Sequence, residues 1–385
     1  VSSRCGKSDN APRLRFPEFS GEWEEKKIKE FANCYAGATP STKERKYWEN
    51  GTIPWLSSGE VNKKHISFTD NFITKIGYDS CSTKMIPANT VVMALAGQGK
   101  TRGTVAITEI ELCTNQSLAS IVTNETVDDK FLLYYLETQY SNLRAISSGD
   151  GTRGGLNLNI INEYSVFLAS LPEQKKIAAF FTLLDRRIQK QRQLVEFLKT
   201  YKRGVFSVLL NSFSKYETLL LENCASIKKG EQLNKTDMIE NGKYYVLNGG
   251  IAASGRTDNF NTDKNTISIS EGGNSCGFVL FNTEKFWSGG HCYTLQNLKQ
   301  NINNQYLFHY LKFHEKQIMS LRVGSGLPNI QKSELEKFEV LLPSEDIQNK
   351  IANIMSNITS YEDVVKKELL NLDKLKLALL QKMFI

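Results

Sequence analysis

Residues 94–101, ALAGQGKT, have the spacing of a relaxed phosphate loop, in which backbone N–H groups and a lysine bind the phosphates of a nucleotide. A working loop of this kind opens a helix, whose N-terminus attracts phosphate. The following residues, TRGTVAIT, are instead typical of the return strand of a hairpin, and the matching segment EGGNSCG of the second half has no lysine. The sequence therefore predicts a hairpin tip that carries hydrogen-bond donors, or a plain solvated turn, with nucleotide hydrolysis as the alternative. The tip contains Gln98, Lys100, Thr101 and Arg102.

Other catalytic and metal-binding patterns are absent from the sequence. No proline is followed by a second proline, which excludes the Asn/Asp-Pro-Pro-aromatic loop that holds a flipped base in amino-methyltransferases, and no Pro-Asp pair begins a nuclease carboxylate cluster. The four histidines, at 65, 291, 309 and 314, lack metal-ligand spacing, and we expect structural roles for them. The seven cysteines form no C-x-x-C pair and are interpreted as reduced structural thiols. We predict no catalytic residue and no metal site on this chain.

Polar and basic residues interleave with aromatic ones where loops are expected. Residues 37–61 contribute Lys43, Arg45, Lys46, Tyr47, Trp48 and Trp55, and the second half contributes Lys228, Lys229, Gln232, Asn234, Lys235, Asn248 and Arg256. Arg, Lys, Gln and Asn side chains read base edges in the major groove, whereas Ser, Thr and Lys suit phosphates. The aromatic residues are interpreted as core residues rather than stacking platforms. These loops are therefore candidates for contact with nucleic acid.

The chain contains an internal duplication. Residues 149–211 and 324–385 share one plan: a Gly-rich turn, a short strand that ends in Leu-Pro, and a long amphipathic helix. The segment QKKIA at 174–178 matches QNKIA at 348–352, and FLLYYL matches YLFHYL. A duplicated globule and helix predicts a pseudo-twofold molecule, and such symmetry suits a partner with its own dyad.

Both long helices carry the apolar repeat of a coiled coil, sustained over about five heptads. The predicted seam consists of Ile177, Phe181, Leu184, Ile188, Gln191, Val195, Leu198, Tyr201 and Val205 in the first helix, and of Ile351, Ile354, Ile358, Tyr361, Val365, Leu369, Leu372, Leu375, Leu379 and Met383 in the second. A globule that leaves the far end of the first helix and returns to it requires the second helix to run antiparallel. We therefore expect the globules at opposite ends of one rod and Ile385 near the N-terminal globule. An ordinary four-helix core is the alternative.

Bulk properties fit a soluble globular protein. The chain has 385 residues, 40% hydrophobic content and a net charge of +7, which favours a polyanionic partner. It contains no run of 18 apolar residues and does not begin with a signal peptide, so we predict a cytoplasmic protein without a membrane partner. Residues 173–211 carry nine basic and three acidic residues, whereas residues 344–385 carry six of each. The basic excess indicates either a solvated helix face or contact with phosphates or an acidic partner.

Each globule combines strand pairs with one predicted helix, at 129–146 in the first and at 304–321 in the second. The predicted fold class is α+β: two globular α/β domains separated by two long helices that form an antiparallel coiled coil with pseudo-twofold symmetry. The predicted boundaries are 1–171 for the first domain, 172–212 for the first long helix, 213–342 for the second domain and 343–385 for the second long helix.

Residues 37–61, GATPSTKERKYWENGTIPWLSSGEV, resemble the G-x-T-P…Y-W…I-P-W opening of target-recognition domains in the specificity (S) subunit of type I restriction-modification enzymes. Residues 246–281 resemble another variety of the same domain. The two helices headed by Leu-Pro are similar to the central and C-terminal conserved regions of that family, so the resemblance extends over nearly the whole chain from about Arg13. Gly37-Ala38 replaces the usual Gly-Gly, and the second domain lacks the G-x-T-P signature. The second departure implies that the two domains read unrelated sequences.

The resemblance implies a non-catalytic subunit of a type I site-specific DNA methyltransferase and endonuclease. Each globule would read one half of a split double-stranded DNA site. The helices would bind two methyltransferase (modification) subunits, which recruit restriction subunits. S-adenosylmethionine, ATP and Mg²⁺ would belong to those partners, with no cofactor bound by this chain. The competing functions are a phosphate-loop NTPase, which depends on Lys100, and a coiled-coil adaptor that does not read DNA.

Side-chain chemistry and loop position together give the predicted DNA contacts. In the first domain these are Thr39, Ser41, Lys43, Ser57, Ser58, Gln98, Lys100, Thr101, Arg102 and Arg153. In the second domain they are Lys229, Gln232, Asn234, Lys235, Asn248, Arg256, Asn274, Ser275 and Arg322.

Overall fold

A computed structural model of the chain describes residues 10–97, 100–147, 155–213, 215–324, 326 and 328–385. The chain divides into two compact units. The first contains residues 1–191 together with 369–385, and the second contains residues 192–368. In the described part of the chain, no helix is both long and apolar enough to cross a membrane.

The first unit is built from short strands and short helices, followed by a long one. Its strands are β1 (Glu24–Lys27), β2 (Ala32–Ala36), β3 (Ile53–Leu56), β4 (His65–Ile66), β5 (Asn71–Ile73), β6 (Val91–Ala94), β7 (Val105–Thr108), β8 (Cys113–Thr114), β9 (Leu118–Thr123) and β10 (Ser165–Leu168). Its helices are α1 (Ile28–Phe31), α2 (Lys75–Asp79), α3 (Asp129–Thr138), α4 (Tyr140–Ile146), α5 (Leu158–Asn162) and the first part of α6 (Leu171–Asn211). The strands form three sheets, with the orders β2-β9-β6-β7-β4, β5-β3-β8 and β1-β10.

The second unit repeats this plan. Its strands are β11 (Glu217–Leu220), β12 (Ser226–Lys229), β13 (Tyr244–Leu247), β14 (Gly255–Thr257), β15 (Thr266–Ser270), β16 (Val279–Asn282), β17 (Phe286–Ser288), β18 (Cys292–Gln296) and β19 (Glu339–Leu342). Its helices are the second part of α6, α7 (Leu221–Cys224), α8 (Asn304–Phe313), α9 (Glu315–Ser320), α10 (Lys332–Glu336) and the first part of α11 (Glu345–Met383). The last part of α11, from residue 369, belongs to the first unit. The sheet orders are β12-β18-β15-β16, β14-β13-β17 and β11-β19, so the duplication extends to the topology of the sheets.

The phosphate-loop-like segment is a hairpin. All four residues of β6 are buried, and this strand pairs antiparallel with β7, with Val91 opposite Ile107. The residues between these strands that the structure describes, 95–97 and 100–104, contain no helix. The hairpin interpretation is confirmed, because the segment lacks the helix N-terminus that a phosphate loop needs.

The two predicted globular helices form, and each is interrupted at the same place. The side chain of Asp128 caps α3 by accepting hydrogen bonds from the N–H groups of Lys130 and Phe131, and that of Asn303 caps α8 by accepting one from the N–H of Tyr306. The backbone leaves helical geometry at Gln139, where ψ is 6°, and at His314, where ψ is 13°. The predicted helices 129–146 and 304–321 are therefore two helices each.

Within each unit the long helices run antiparallel, as predicted. In the first unit Phe181 packs on Phe384 at 5.8 Å between ring centroids, while Asp185 binds Lys376 at 2.7 Å. Phe384 also contacts Trp23 and Phe131, so the end of the chain lies in the core of the first unit, as expected for Ile385. In the second unit the C-terminal part of α6 shares a core with the N-terminal part of α11.

Four predicted seam positions are wrong. Tyr201, Ile354, Tyr361 and Leu375 lie on the exposed face of their helices. The buried positions include Met355 and Leu380, together with the polar residues Glu362 and Lys376. An apolar residue that lies next to a buried position in the sequence can also fit a repeat with spacings of three and four. The sequence repeat therefore does not show which of the two neighbouring residues is buried between the helices.

Candidate nucleic-acid interface

In the second unit, four connections between strands meet at one edge of the sheets. They are residues 230–243, 248–254, 271–278 and 289–291. Strands β13 and β17 are parallel, so the two connections that follow them leave the sheet on the same side. We call these four connections the second loop cluster.

Gly249 is the junction of the second loop cluster. Its carbonyl accepts hydrogen bonds from the hydroxyls of Ser270 at 2.5 Å and Ser275 at 2.6 Å. Its φ of +77° favours glycine, and a Cβ there would lie 2.6 Å from the carbonyl oxygen of His291. Two other connections, 271–278 and 289–291, approach this glycine closely, and these contacts fix the backbones of the three connections relative to one another.

A cavity of about 510 Å³ opens within this cluster. Its lining combines three amide side chains and two basic ones with apolar residues. The polar members are the predicted contacts Gln232, Asn234, Lys235, Asn248 and Arg256, together with Glu240 and Ser254, and the apolar members include Met238 and Ile239. Five residues scattered over 25 positions of sequence therefore line one concave surface.

Backbone carbonyls orient the guanidinium group of Arg256. Its Nε donates to the carbonyl of Gly242 at 2.5 Å and its Nη2 to the carbonyl of Lys243 at 2.9 Å. Gly242 is required at that point, because a Cβ would lie 2.5 Å from the amide nitrogen of Thr257. Arg256 is exposed, so its planar group is presented in a fixed direction.

The remaining predicted contacts of the second unit border the same cluster. Lys229 binds the buried Glu271 at 2.5 Å, and Ser275 is committed to Gly249 through its hydroxyl. Asn274 lies exposed on the 3-10 turn Gly273–Ser275. Arg322 is exposed and precedes Val323, whose bridge partner Asn329 also bridges Gly272 in the cluster.

The first unit has a corresponding cluster, formed by residues 37–52, 57–64, 95–104 and 115–117. Its backbone contacts repeat those of the second unit. The N–H of Asn115 donates to Leu56 as that of Gly289 donates to Leu247, and the N–H of Leu95 donates to Ser117 as that of Glu271 donates to His291. We call this set the first loop cluster. Its residues 98 and 99 are outside the described part of the chain.

Two predicted contacts of the first cluster use their side chains for internal bonds. The Thr39 hydroxyl donates to Oε1 of Gln116 at 2.5 Å. Ser57 precedes the 3-10 helix Ser58–Lys63 and binds Oε2 of Glu60 through both its N–H and its hydroxyl. Burial acts to raise the pKa of Glu60, but the hydrogen bonds from the backbone of Ser57 and Asp70 and from Lys63 outweigh it, so the pKa is lowered.

The aromatic residues of this region are structural, as predicted. Trp55 is buried and packs edge-on against Trp48 at 5.1 Å between centroids, and its Nε1 donates to the carbonyl of Ala38. The indole of Trp48 donates to the carbonyl of Ser41 at 3.1 Å. These bonds hold the segment that presents the exposed Ser41 and Lys43.

The hairpin tip is anchored to the helices below it. The hydroxyl of Tyr140 donates to the carbonyl of Lys100 at 2.8 Å, and Nη1 of Arg102 donates to the carbonyl of Ser147 at 3.3 Å. Lys100 is exposed, whereas Thr101 and Arg102 are half-buried. The predicted contacts Gln98 and Arg153 lie outside the described residues.

Gln116 and His291 are among the polar residues of these clusters that were not predicted as DNA contacts. Gln116 binds Thr39, and His291 lies between Asn248 and Glu271 with an exposed side chain. Both stand in short connections between strands that correspond in the two halves. An alignment of the two halves of the sequence that extended beyond the long helices into these connections could have identified both residues.

An α+β chain with two duplicated loop clusters of amide, hydroxyl and basic side chains has the features of a protein that contacts nucleic acid. The sequence profile of the type I restriction modification DNA specificity domain matches residues 20–197 and 214–373. The chain therefore belongs to the type I restriction-modification DNA specificity family.

Individual relatives agree with this assignment. The chain is 40% identical to a putative type I specificity subunit of Mycoplasma pneumoniae over 38% of this chain and 40% of that protein. It is 23% identical to the type I restriction enzyme MjaIX specificity subunit of Methanocaldococcus jannaschii over 94% and 92% of the two chains. The crystal structure of a type I restriction-modification system S subunit from M. genitalium has the same fold, with a TM-score of 0.72 and 20% identity over 97% and 99% of the chains.

Proposed function

We propose that this chain reads double-stranded DNA for a type I restriction-modification enzyme, and that each unit recognises one half of a bipartite site. The observation that carries this proposal is the cavity of the second loop cluster, where Asn248, Gln232 and the oriented Arg256 converge. Amide groups pair with adenine and guanidinium groups with guanine in the major groove. The chain itself performs no chemistry in this function.

The geometry argues against the two competing functions. A phosphate-loop NTPase needs Lys100 at the start of a helix, but Lys100 lies in the hairpin between β6 and β7. A coiled-coil adaptor needs no converging polar loops, and it would tolerate any change in them.

Exposed apolar side chains on the long helices support a docking site for modification subunits. In the second unit Phe197 is 60% exposed and Tyr201 is 49% exposed, and their rings stack at 5.8 Å between centroids. Tyr361 of the other helix is 54% exposed. Large aromatic groups in water favour burial in an interface.

Helix geometry places these three residues on one side of the helix pair. At about 100° per residue, the stripe of Phe197 and Tyr201 is displaced by roughly a third of a turn from the buried contact face of α6. Tyr361 is displaced from the contact face of α11 by a similar angle, in the same rotational sense when each helix is viewed from its N-terminus. Because the two segments are antiparallel, equal displacements point to the same side. The Lys202–Glu362 ion pair, at 2.5 Å, shows that Tyr201 and Tyr361 stand at the same level.

The first unit exposes Leu183 and Leu375 on its part of the same helices. A docking face in each unit supports two modification subunits per chain, and these would recruit the restriction subunits in the cytoplasm. S-adenosylmethionine, ATP and Mg²⁺ are assigned by this proposal to the partner subunits.

Mapping of methylated bases in cells tests the reading function. The chain is expressed with its modification subunit, and single-molecule sequencing identifies the methylated site. We expect a bipartite site, and exchange of residues 213–342 for those of a relative should change one half of it. A site in which both halves change together would contradict independent reading by the two units.

Substitution of the aromatic stripe tests the docking site. Phe197→Ser with Tyr201→Ser should weaken capture of the modification subunit at least tenfold and leave the thermal midpoint of the free chain within a few degrees. The matched variant Lys199→Ser, at an exposed position of the same turn, should bind like the wild type. Unchanged capture by the double variant, or a saturated complex with a single modification subunit, would refute this part of the proposal.

A further inference from the structure

The buried carboxylate of Glu271 stands at the centre of the second loop cluster. Only 8% of the residue is exposed. Its backbone is fixed on both sides, since its N–H donates to the carbonyl of His291 at 2.9 Å and its carbonyl accepts from the N–H of Ile330 at 2.8 Å. These two bonds hold the backbone of Glu271 in place within the cluster.

The two oxygens of Glu271 have different partners. Oε1 accepts hydrogen bonds from Nζ of Lys229 at 2.5 Å and from the hydroxyl of Tyr293 at 3.2 Å. Oε2 is buried and has no hydrogen-bond partner among the described residues, while Nδ1 of His291 lies 3.5 Å away. A buried carboxylate oxygen without a donor is costly, which favours a proton on the facing nitrogen.

His291 is otherwise open to a ligand. Its side chain is 63% exposed, and its backbone N–H donates to Oδ1 of Asn248, which lines the cavity. The titratable and charged groups beside it are Glu271, Lys229 and Tyr293, whereas residues 248–254 and 272–275 carry none. The connection 230–243, which packs against residues 288–292, adds the charged residues Glu231, Lys235, Asp237, Glu240 and Lys243. The imidazole therefore stands at the mouth of the proposed DNA site with one nitrogen toward Glu271.

We propose that His291 is a proton-dependent phosphate contact of the second unit and that Glu271 is the residue that positions it. This inference rests on the proposed DNA-reading function. In the neutral imidazole, Glu271 holds the proton on Nδ1, so Nε2 is an acceptor and repels a phosphate oxygen. Uptake of a second proton turns Nε2 into a donor and adds a positive charge beside Lys229. DNA binding and proton uptake at His291 are then linked.

The test measures DNA affinity as a function of pH at fixed ionic strength. The assembled complex of this chain with its modification subunits is titrated onto a fluorescent duplex that carries the mapped site. Protonation of Nε2 adds a hydrogen-bond donor and a positive charge at the phosphate, which strengthens binding at low pH. We expect Kd to be about tenfold higher at about pH 8 than at about pH 6.

Three variants make the test specific. His291→Gln should bind with a Kd near the weaker wild-type limit at both pH values, and His291→Arg should bind near the tighter limit at both. The matched control is His65→Gln, because His65 faces Glu109 at 3.1 Å in the first unit and belongs to no loop cluster. It should keep the wild-type pH dependence.

Two results would overturn the inference: a wild-type affinity that does not change with pH, or a His291→Gln variant that keeps the wild-type pH dependence. Failure of the DNA-reading function is a separate result, in which the complex binds the mapped duplex and a scrambled duplex equally at every pH.

Discussion

Gln174 and Gln348 make the same three hydrogen bonds, each in its own unit. Oε1 of Gln174 accepts from the N–H of Asp128, and Oε1 of Gln348 accepts from the N–H of Asn303. Nε2 of Gln174 donates to the carbonyls of Thr126 and Ala169, as Nε2 of Gln348 donates to those of Asn301 and Pro343. Both side chains are buried, and each connects the start of a long helix to the turn before a globular helix.

Replacement of either glutamine should therefore loosen one unit. Gln348→Leu leaves buried backbone groups without partners and should cost about 3 kcal/mol of local stability. Hydrogen exchange should rise at the start of α8 and of α11, with residues 126–138 unaffected. Lys350→Ala, at an exposed position of the same turn, is the control and should leave exchange unchanged. Exchange that rises equally in both units would contradict a local role.

The ion pair between Lys376 and Asp185 should stabilise the first unit. Lys376 is buried, and its Nζ lies 2.7 Å from Asp185 and 3.3 Å from Glu137. Lys376→Ala leaves Asp185 without its cation, while Glu137 keeps its ion pair with Lys64 at 2.5 Å, and should cost about 2 kcal/mol in urea unfolding. Lys374→Ala, at an exposed position one residue before Leu375, should cost less than about 0.5 kcal/mol. Equal costs for the two variants would show that the pair contributes nothing.

His309 should make the second unit less stable in acid. Burial, followed by the nearby charge of Lys202, lowers its pKa to about 4. In the unfolded chain its pKa is about 6.5, so between these values the unfolded state binds the extra proton. The stability that neutral His309 contributes is fully present above about pH 6.5 and is lost as pH falls to about 4. The free energy of unfolding falls by up to roughly 3 kcal/mol over this range. Hydrogen exchange of α8 should follow this fall, and His309→Gln should flatten it; an unchanged slope in the variant would assign the effect to other groups.

Single loop substitutions should alter one half of the methylated site. Gln232→Ala removes an amide from the cavity of the second unit, and Lys100→Ala removes a charge from the first loop cluster. Loss of a base contact costs about 1 to 3 kcal/mol of discrimination at one position, whereas loss of a phosphate contact weakens all sequences alike. Methylation mapping should show Gln232→Ala relaxing the second half-site only. Lys264→Ala, an exposed lysine outside the cluster, should leave the site unchanged.

The sequence alone predicted the elements that depend on local patterns. The hairpin at 91–108 follows from β-branched residues on both sides of a glycine-rich tip, and the long helices follow from an apolar repeat that each helix carries by itself. The internal duplication also predicted that both units would have the same plan. Gln174 and Gln348, which make equivalent hydrogen bonds in the two units, show this correspondence most directly. The types of side chain in the loops were sufficient to select five of the residues that line the cavity.

Tertiary structure decided what depends on contacts between distant segments. The repeat of α11 is compatible with burial of either Ile354 or Met355, and the rotation of the helix against its neighbours selects Met355. The pairing of Glu271 with Lys229 joins residues 42 positions apart, and it exists because β12 and β15 both pair with β18. Register between strands is set by the whole sheet and its core, so no local pattern in the sequence specifies which loop residues meet.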